Sequence, residues 1–249
     1  MLYPLPDALY LLLAREALGQ ATTQDYLDWA YGLLESGSDS PALLRLAACS
    51  ASDDLTFEIK PWFAQALLEL GLELPPITSD FWLDTAEVLI QQALAGRLSP
   101  ELLLARLVET DAQLPASVWL LRGFVDLSEA LEMLQNPETR AYAQAVYADL
   151  SAEQPLNACL LAECQLFLAL RPLQPPADLW QQVYCQHCGQ QDLPGQRPVV
   201  LSLAQKLQYQ LQNRPRPYES VCRHCGQREL LWLHTLAGRR WWLAQHSPC

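Results

Sequence analysis

The chain has 249 residues, 51% of them hydrophobic and 18% charged, and carries a net charge of −12. Such a composition supplies ample material for a packed core and excludes a disordered chain. The apolar runs look shorter than the roughly 18 to 20 residues of a spanning helix, and the leucine-rich start, Ala8 to Ala14, lacks the basic flank and cleavage site of an export signal, so a cytoplasmic protein with no membrane association is expected.

The first 180 residues read as about eight helices in succession. Ser40-Pro41 and Ser99-Pro100 each combine a side-chain cap with a proline at the first helical position, where its missing N–H costs nothing. Thr22 with Asp25, and Ser79 before Phe81-Trp82-Leu83, mark further starts, and Gly37, Gly71 and Gly96 mark ends. Apolar residues recur at helical spacing in between, as in Ala86, Leu89, Ile90, Ala93 and Leu94, or Ala141, Ala145, Val146 and Leu150. Glu16 to Gly19 before Tyr26 to Leu34 echoes Gln92 to Gly96 before Leu102 to Val108; with two copies only, shared amphipathic character explains the echo better than a repeat.

Arg171-Pro172-Leu173-Gln174-Pro175-Pro176 interrupts the helical pattern and reads as a linker. The expected fold is therefore mainly α: an acidic, all-helical domain over residues 1–176, then a small β-rich module over 177–249 packed against it. Charge follows a similar division, with 25 acidic and 8 basic side chains in residues 1–180 against 3 and 8 in 181–249. Within the second part, residues 199–213 fit a strand and a helix equally well. Glu229 to Leu236 and Arg239 to Ala244, either side of Ala237-Gly238, read as a hairpin rich in tryptophan, apolar on both faces and thus buried on both.

One six-residue word occurs twice in this module: Cys185-Gln186-His187-Cys188-Gly189-Gln190 and Cys222-Arg223-His224-Cys225-Gly226-Gln227. Two residues between paired cysteines let a tight turn aim both sulfurs at one point, and Gly189 and Gly226 can take the positive φ that closes it. Cys185, Cys188, Cys222 and Cys225 are thus the expected ligands of a structural Zn site, tetrahedral and without an open position. His187 and His224 would strain the turns as ligands and are expected beside the site or facing solvent, with His246 a reserve ligand. Cys49, Cys159, Cys164 and Cys249 are scattered and expected to be reduced.

The double knuckle resembles a zinc ribbon over residues 185 to about 246, with an insertion between its halves. Asp39 to Ala47 and Phe63 to Gly71 resemble small helical proteins of unassigned function found in bacteria, a likeness that covers less than half the chain and carries no catalytic motif.

Nucleophile elbows, zincin motifs, phosphate loops and dinucleotide fingerprints are missing from the sequence, and residues 1–180 contain no histidine to serve as a general base. The acidic pairs Asp25 with Asp28 and Asp53 with Asp54 fit helix starts better than acid–base work, and Cys159 and Cys164 fit a helical core. These features point to a protein that is not an enzyme and takes no small-molecule substrate. The expected role is non-enzymatic binding of another protein that presents a basic surface, as in bacterial immunity, antitoxin or adaptor proteins. The alternative is a nucleic-acid-binding or transcription-associated ribbon using Arg214, Arg216, Arg223, Arg228, Arg239 and Arg240, which the acidic remainder of the chain disfavours.

Overall fold

Capping chemistry starts three helices where the sequence places it, whereas the helix that opens at Ser79 has no side-chain cap. In the computed structural model, which describes residues 7–147, 156–212, 214–215 and 217–247, Ser40 Oγ accepts from the Leu43 N–H at 3.0 Å and Ser99 Oγ from the Leu102 N–H at 3.3 Å. The Asp25 carboxylate reaches back to the Thr22 N–H at 2.7 Å. Leu150, Arg216 and Cys249, named above, lie outside the described residues.

The chain divides into two compact units, residues 1–115 and 116–249. The first holds α1 (Asp7–Ala17), α2 (Thr23–Glu35), α3 (Pro41–Ala47), α4 (Lys60–Glu69), α5 (Ser79–Leu94) and α6 (Pro100–Asp111). A π-helical turn, Leu55–Ile59, precedes α4; the Asp54 carboxylate holds its start by accepting from the N–H groups of Thr56 and Phe57, both at 2.8 Å. Aromatic rings centre the core: Phe63 meets Tyr26 and Trp29 edge-on at 5.0 and 4.9 Å, and Tyr10 stacks on Phe81 at 5.8 Å. Such pairs add about 0.5–1.5 kcal/mol beyond their burial. Arg15 pairs with Asp25, and Lys60 Nζ lies 2.6 Å from Glu16, tying α1 to α2 and α4.

The second unit mixes helix with sheet. Its helices are α7 (Arg122–Gln135), the single-turn α8 (Ala143–Val146), α9 (Leu156–Leu170), α10 (Leu203–Leu211) and α11 (Leu236–His246). Its strands are β1 (Val183–Cys185), β2 (Gln191–Asp192), β3 (Gly195–Pro198), β4 (Tyr218–Val221) and β5 (Leu230–Trp232). β1 lies between β2 and β5, antiparallel to both, with Val183 opposite Asp192 and Trp232; β3 pairs with β4 in a separate two-stranded sheet. α9 packs on α7 and α11, and α11 packs on β5.

A buried ion pair joins these elements. Glu163, in α9, is 1% exposed and Arg239, in α11, 2% exposed; the guanidinium donates Nη1 to Oε2 and Nη2 to Oε1, both at 2.6 Å. Tyr147 Oη donates to Glu163 Oε1 at 2.8 Å, and the guanidinium lies over the Trp180 ring, 5.2 Å from its centre. Trp180 contacts Trp119, whose indole N–H donates to the Pro176 carbonyl at 2.8 Å. Two glycines make room: a Cβ on Gly123 would press on both partners of the ion pair, and one on Gly238 would stand 2.7 Å from Leu233 Cα.

The structure corrects three expectations and resolves one open choice. The compact division falls between Pro115 and Ala116 rather than near 176, because α9 shares its core with α11 across the prolines at 172–176. The expected hairpin is a strand followed by a helix: Thr235 Oγ1 accepts from the Gly238 N–H at 3.1 Å, capping α11, and Leu236, Arg239 and Trp242 then recur on one buried face. Residues 199–213, open between strand and helix, contain α10, whose Ser202–Gln205 capping box supplies the start. The segment 156–173 is long and apolar enough to cross a membrane by length and composition, contrary to the sequence reading; in this fold it is the central helix of the second unit, with Cys159, Leu160, Glu163, Cys164, Leu166 and Phe167 buried. Mainly α architecture, the left-handed Gly37, Gly71 and Gly96, and the core placement of Cys159 and Cys164 match expectation.

Removing one partner of a buried ion pair leaves the other charge stranded, at a cost of about 3–5 kcal/mol. Glu163→Gln and Arg239→Met are each expected to lose about that much in urea unfolding followed by tryptophan fluorescence, whereas the double change Glu163→Leu with Arg239→Met recovers most of it.

Candidate metal centre

The two knuckles fold as copies of one another. In each, the first cysteine's N–H donates to the carbonyl five residues on (Cys185 to Gln190 at 2.9 Å, Cys222 to Gln227 at 2.8 Å), and the glycine N–H donates back to that cysteine's carbonyl (Gly189 to Cys185 and Gly226 to Cys222, both 2.9 Å). Gly189 and Gly226 adopt φ of 73° and 74°, the left-handed conformation for which glycine lacks the Cβ penalty. β1 and β2 flank the first knuckle as a hairpin. The second lies between β4 and β5, which belong to different sheets, so it links the two sheets.

The four sulfurs converge. All lie within 4.8 Å of one another, with Cys185 Sγ to Cys225 Sγ and Cys188 Sγ to Cys222 Sγ both 3.6 Å. Zinc–sulfur bonds of about 2.3 Å in a tetrahedron imply sulfur–sulfur edges of about 3.8 Å, so the cluster has the size of a filled four-thiolate site. Such soft, tetrahedral ligand sets suit zinc or iron. Cys185 and Cys222 are buried, Cys188 half-buried and Cys225 exposed. Backbone N–H groups of Cys225 and His224, the latter 3.4 Å from Cys222 Sγ, pull the Cys222 thiol down to about 6 against the opposing effect of burial, while burial and the neighbouring thiols push Cys188 and Cys225 up. A thiolate is the form that binds metal.

Histidine takes no part in the cluster. His187 and His224 are exposed, and His224 Nε2 lies 3.4 Å from Asp192. His246, the reserve ligand, instead stacks on Trp242 at 4.1 Å with its Nδ1 2.8 Å from the Trp242 carbonyl. Among the described residues, the four cysteines are the group of His, Cys, Asp and Glu side chains arranged to hold a metal.

The other candidates serve the fold. Asp25 caps α2 and pairs with Arg15, Asp28 accepts from Gln24 at 2.7 Å, and Asp53 accepts from the Ser50 N–H at 2.7 Å. Burial pushes the Cys164 thiol up to about 12, leaving it protonated and unreactive at neutral pH. Cys49 is half-buried, its Sγ 3.3 Å from the Arg45 carbonyl. Three of the six candidate arginines are engaged: Arg228 shares the Glu219 carboxylate with Arg197, both at 2.8 Å, Arg223 lies 3.9 Å from Asp192, and Arg239 is buried.

The sequence reading missed the polar cluster around Glu163, which contains Tyr147, Arg239 and the partly buried Asp126. Glu163 is the one charged residue in the mostly apolar run Ala158 to Leu170. A lone charge in such a run signals a buried pair, since burial without a partner would be prohibitive. In comparisons with protein-family models, curated proteins and solved structures, the chain matches none.

Two outcomes are expected. Purified protein binds one metal ion per chain by elemental analysis, and Cys222→Ser loses it, because three thiolates no longer close the tetrahedron. Separately, burial raises the Asp126 carboxyl to about 6, with Arg122 opposing and Glu129 reinforcing. An unfolded aspartate titrates near 3.9, so the folded state holds the proton more tightly and stability falls as pH rises from about 4 to about 6. Asp126→Asn should therefore stabilise the protein by about 1–2 kcal/mol at pH 7.5 and by little at pH 4, read from urea unfolding at both values.

Proposed function

We propose that this protein is a non-enzymatic binding protein whose C-terminal unit is braced by one structural zinc on Cys185, Cys188, Cys222 and Cys225, and which acts as an adaptor or immunity-type protein by engaging a basic protein partner. Zinc fits the closed four-thiolate set because it needs neither an open position nor redox chemistry there. The distribution of charge carries the reading. Residues 1–115 contain 17 acidic and 5 basic side chains, hence the whole net charge of −12, while residues 116–249 contain 11 of each. A field of that sign steers basic partners and speeds their association.

Helix α10 supports the same reading by a different route. It projects from the segment between the knuckles with no buried residue, and Leu203, Leu207 and Leu211, with Val200 just before it, are 80%, 59%, 87% and 91% exposed. This apolar stripe at helical spacing is suited to lying in a groove on another protein. It supplies the hydrophobic contact that steering alone does not. The nucleic-acid alternative loses ground to the burial of Arg239 against Glu163 and to the pairing of Arg228 with Glu219 and Arg223 with Asp192, which take three of its six arginines.

The full-length protein, used as bait at low and at moderate salt, is expected to capture a basic protein. Association should slow several-fold between about 50 and 300 mM salt, and Leu203→Asp with Leu207→Asp should speed dissociation. Capture of nucleic acid in place of protein, or of a partner whose association ignores salt, would contradict the reading.

A further inference from the structure

A groove of about 340 Å³ opens within the first unit, where α5 packs on both α1 and α6. Its lining runs from Ala8 to Leu18 at α1, from Trp82 to Gln92 at α5 and from Leu98 to Thr110 at α6, recurring at helical spacing in each. The groove therefore follows the helices lengthwise, over about 15 Å at 1.5 Å per residue. Its surface is mostly apolar, and at about 30 Å³ per non-hydrogen atom it has room for two or three leucine side chains. Ala8 and Leu102 on its walls are exposed.

Helix α10 has the matching shape. Leu203, Leu207 and Leu211 stand four residues apart on one face, span about 12 Å and are all exposed on their own chain. Charge agrees with shape. Residues 199–218 contain Lys206, Arg214 and Arg216 and no acidic residue, whereas the unit that holds the groove carries a net charge of −12. On the groove walls Arg15 pairs with Asp25, and Arg106 with Glu109 at 3.4 Å. Asp28, exposed at the rim, accepts from the uncharged Gln24 and is open to a cation. A basic, leucine-striped helix is thus attracted to this groove, and an acidic one is repelled.

We propose that the protein self-associates, with α10 of one copy lying in the groove of a second copy, its three leucines on the apolar floor and its basic flank drawn to the acidic unit. Because α10 also serves the proposed protein partner, self-association and partner binding exclude one another at a given α10.

Sedimentation equilibrium of the purified full-length protein tests this with no partner present. One short helix in one groove is smaller than a standard interface, so reversible association with a Kd of about 10–100 µM is expected. The mean mass should rise above the 28.0 kDa of one chain as concentration rises, and affinity should fall several-fold between about 50 and 300 mM salt. Leu207→Lys, on the stripe, and Leu102→Lys, on the groove wall, should each weaken association at least ten-fold. An equimolar mixture of the two should associate again, since one variant supplies an intact groove and the other an intact α10. Ala8→Trp, which fills the groove from an exposed position on α1, replaces Leu102→Lys if circular dichroism shows that variant unfolded. A mass of one chain up to about 0.5 mM, association that the folded groove variants leave unchanged, or a mixture that stays monomeric would each overturn the proposal. A monomer that still captures a basic protein refutes self-association alone, whereas a self-associating protein that captures none refutes only the partner-binding reading.

Discussion

Burying the Arg239 guanidinium against the Glu163 carboxylate is the constraint around which the second unit is organised. Two charges removed from water are tolerable only when nearly every hydrogen-bonding position is matched. Here the two terminal guanidinium nitrogens each meet one carboxylate oxygen, Tyr147 supplies a further donor, and the Trp180 ring covers the guanidinium. Gly123 and Gly238 have no side chain because the ion pair and the β5–α11 turn occupy that volume. The pair joins residues 76 positions apart, one in the apolar helix α9 and the other in the helix that follows the second knuckle. Helices and knuckles therefore share a core, and the three prolines at 172–176 are an internal turn of one body.

The metal site complements that arrangement. β1, β2 and β5 contain only two or three residues each, too few for a sheet to be stable alone. Fixing the knuckles to one ion would hold the strand ends together from one side. From the other side, Tyr184 in β1 stacks on Trp241 in α11 with ring centres 4.0 Å apart. Partial burial raises the cost of ionisation at both Asp126 and His234, which explains the elevated Asp126 carboxyl and, with Arg239 nearby, the lowered His234.

Local chemistry was the most legible part of the sequence. Ser40-Pro41, Ser99-Pro100 and Thr22 with Asp25 cap helices as read, since a cap depends on a few neighbouring atoms. The four cysteines converge as their spacing implies, and Gly189 and Gly226 take the conformation the knuckles demand. What sequence could not show was set by distant partners. Arg239 reads as a surface arginine beside Arg240 until Glu163, in another helix, is known to face it. Gly238 reads as a turn because a glycine seldom sits inside a helix; its reason is the close backbone of β5. The compact boundary escaped for the same reason, because proline-rich composition marks where a helix ends and says nothing about which helices share a core.

A single cooperative second unit is the central claim, and hydrogen exchange before and after chelation of the metal measures it most directly. If the knuckles and α9 share one core through Glu163 and Arg239, amides of α9 and of β1 and β5 should lose protection together when the metal is removed. Continued full protection of α9, with exchange confined to residues 183–232, would show instead that the metal site is a separate module and would contradict the account.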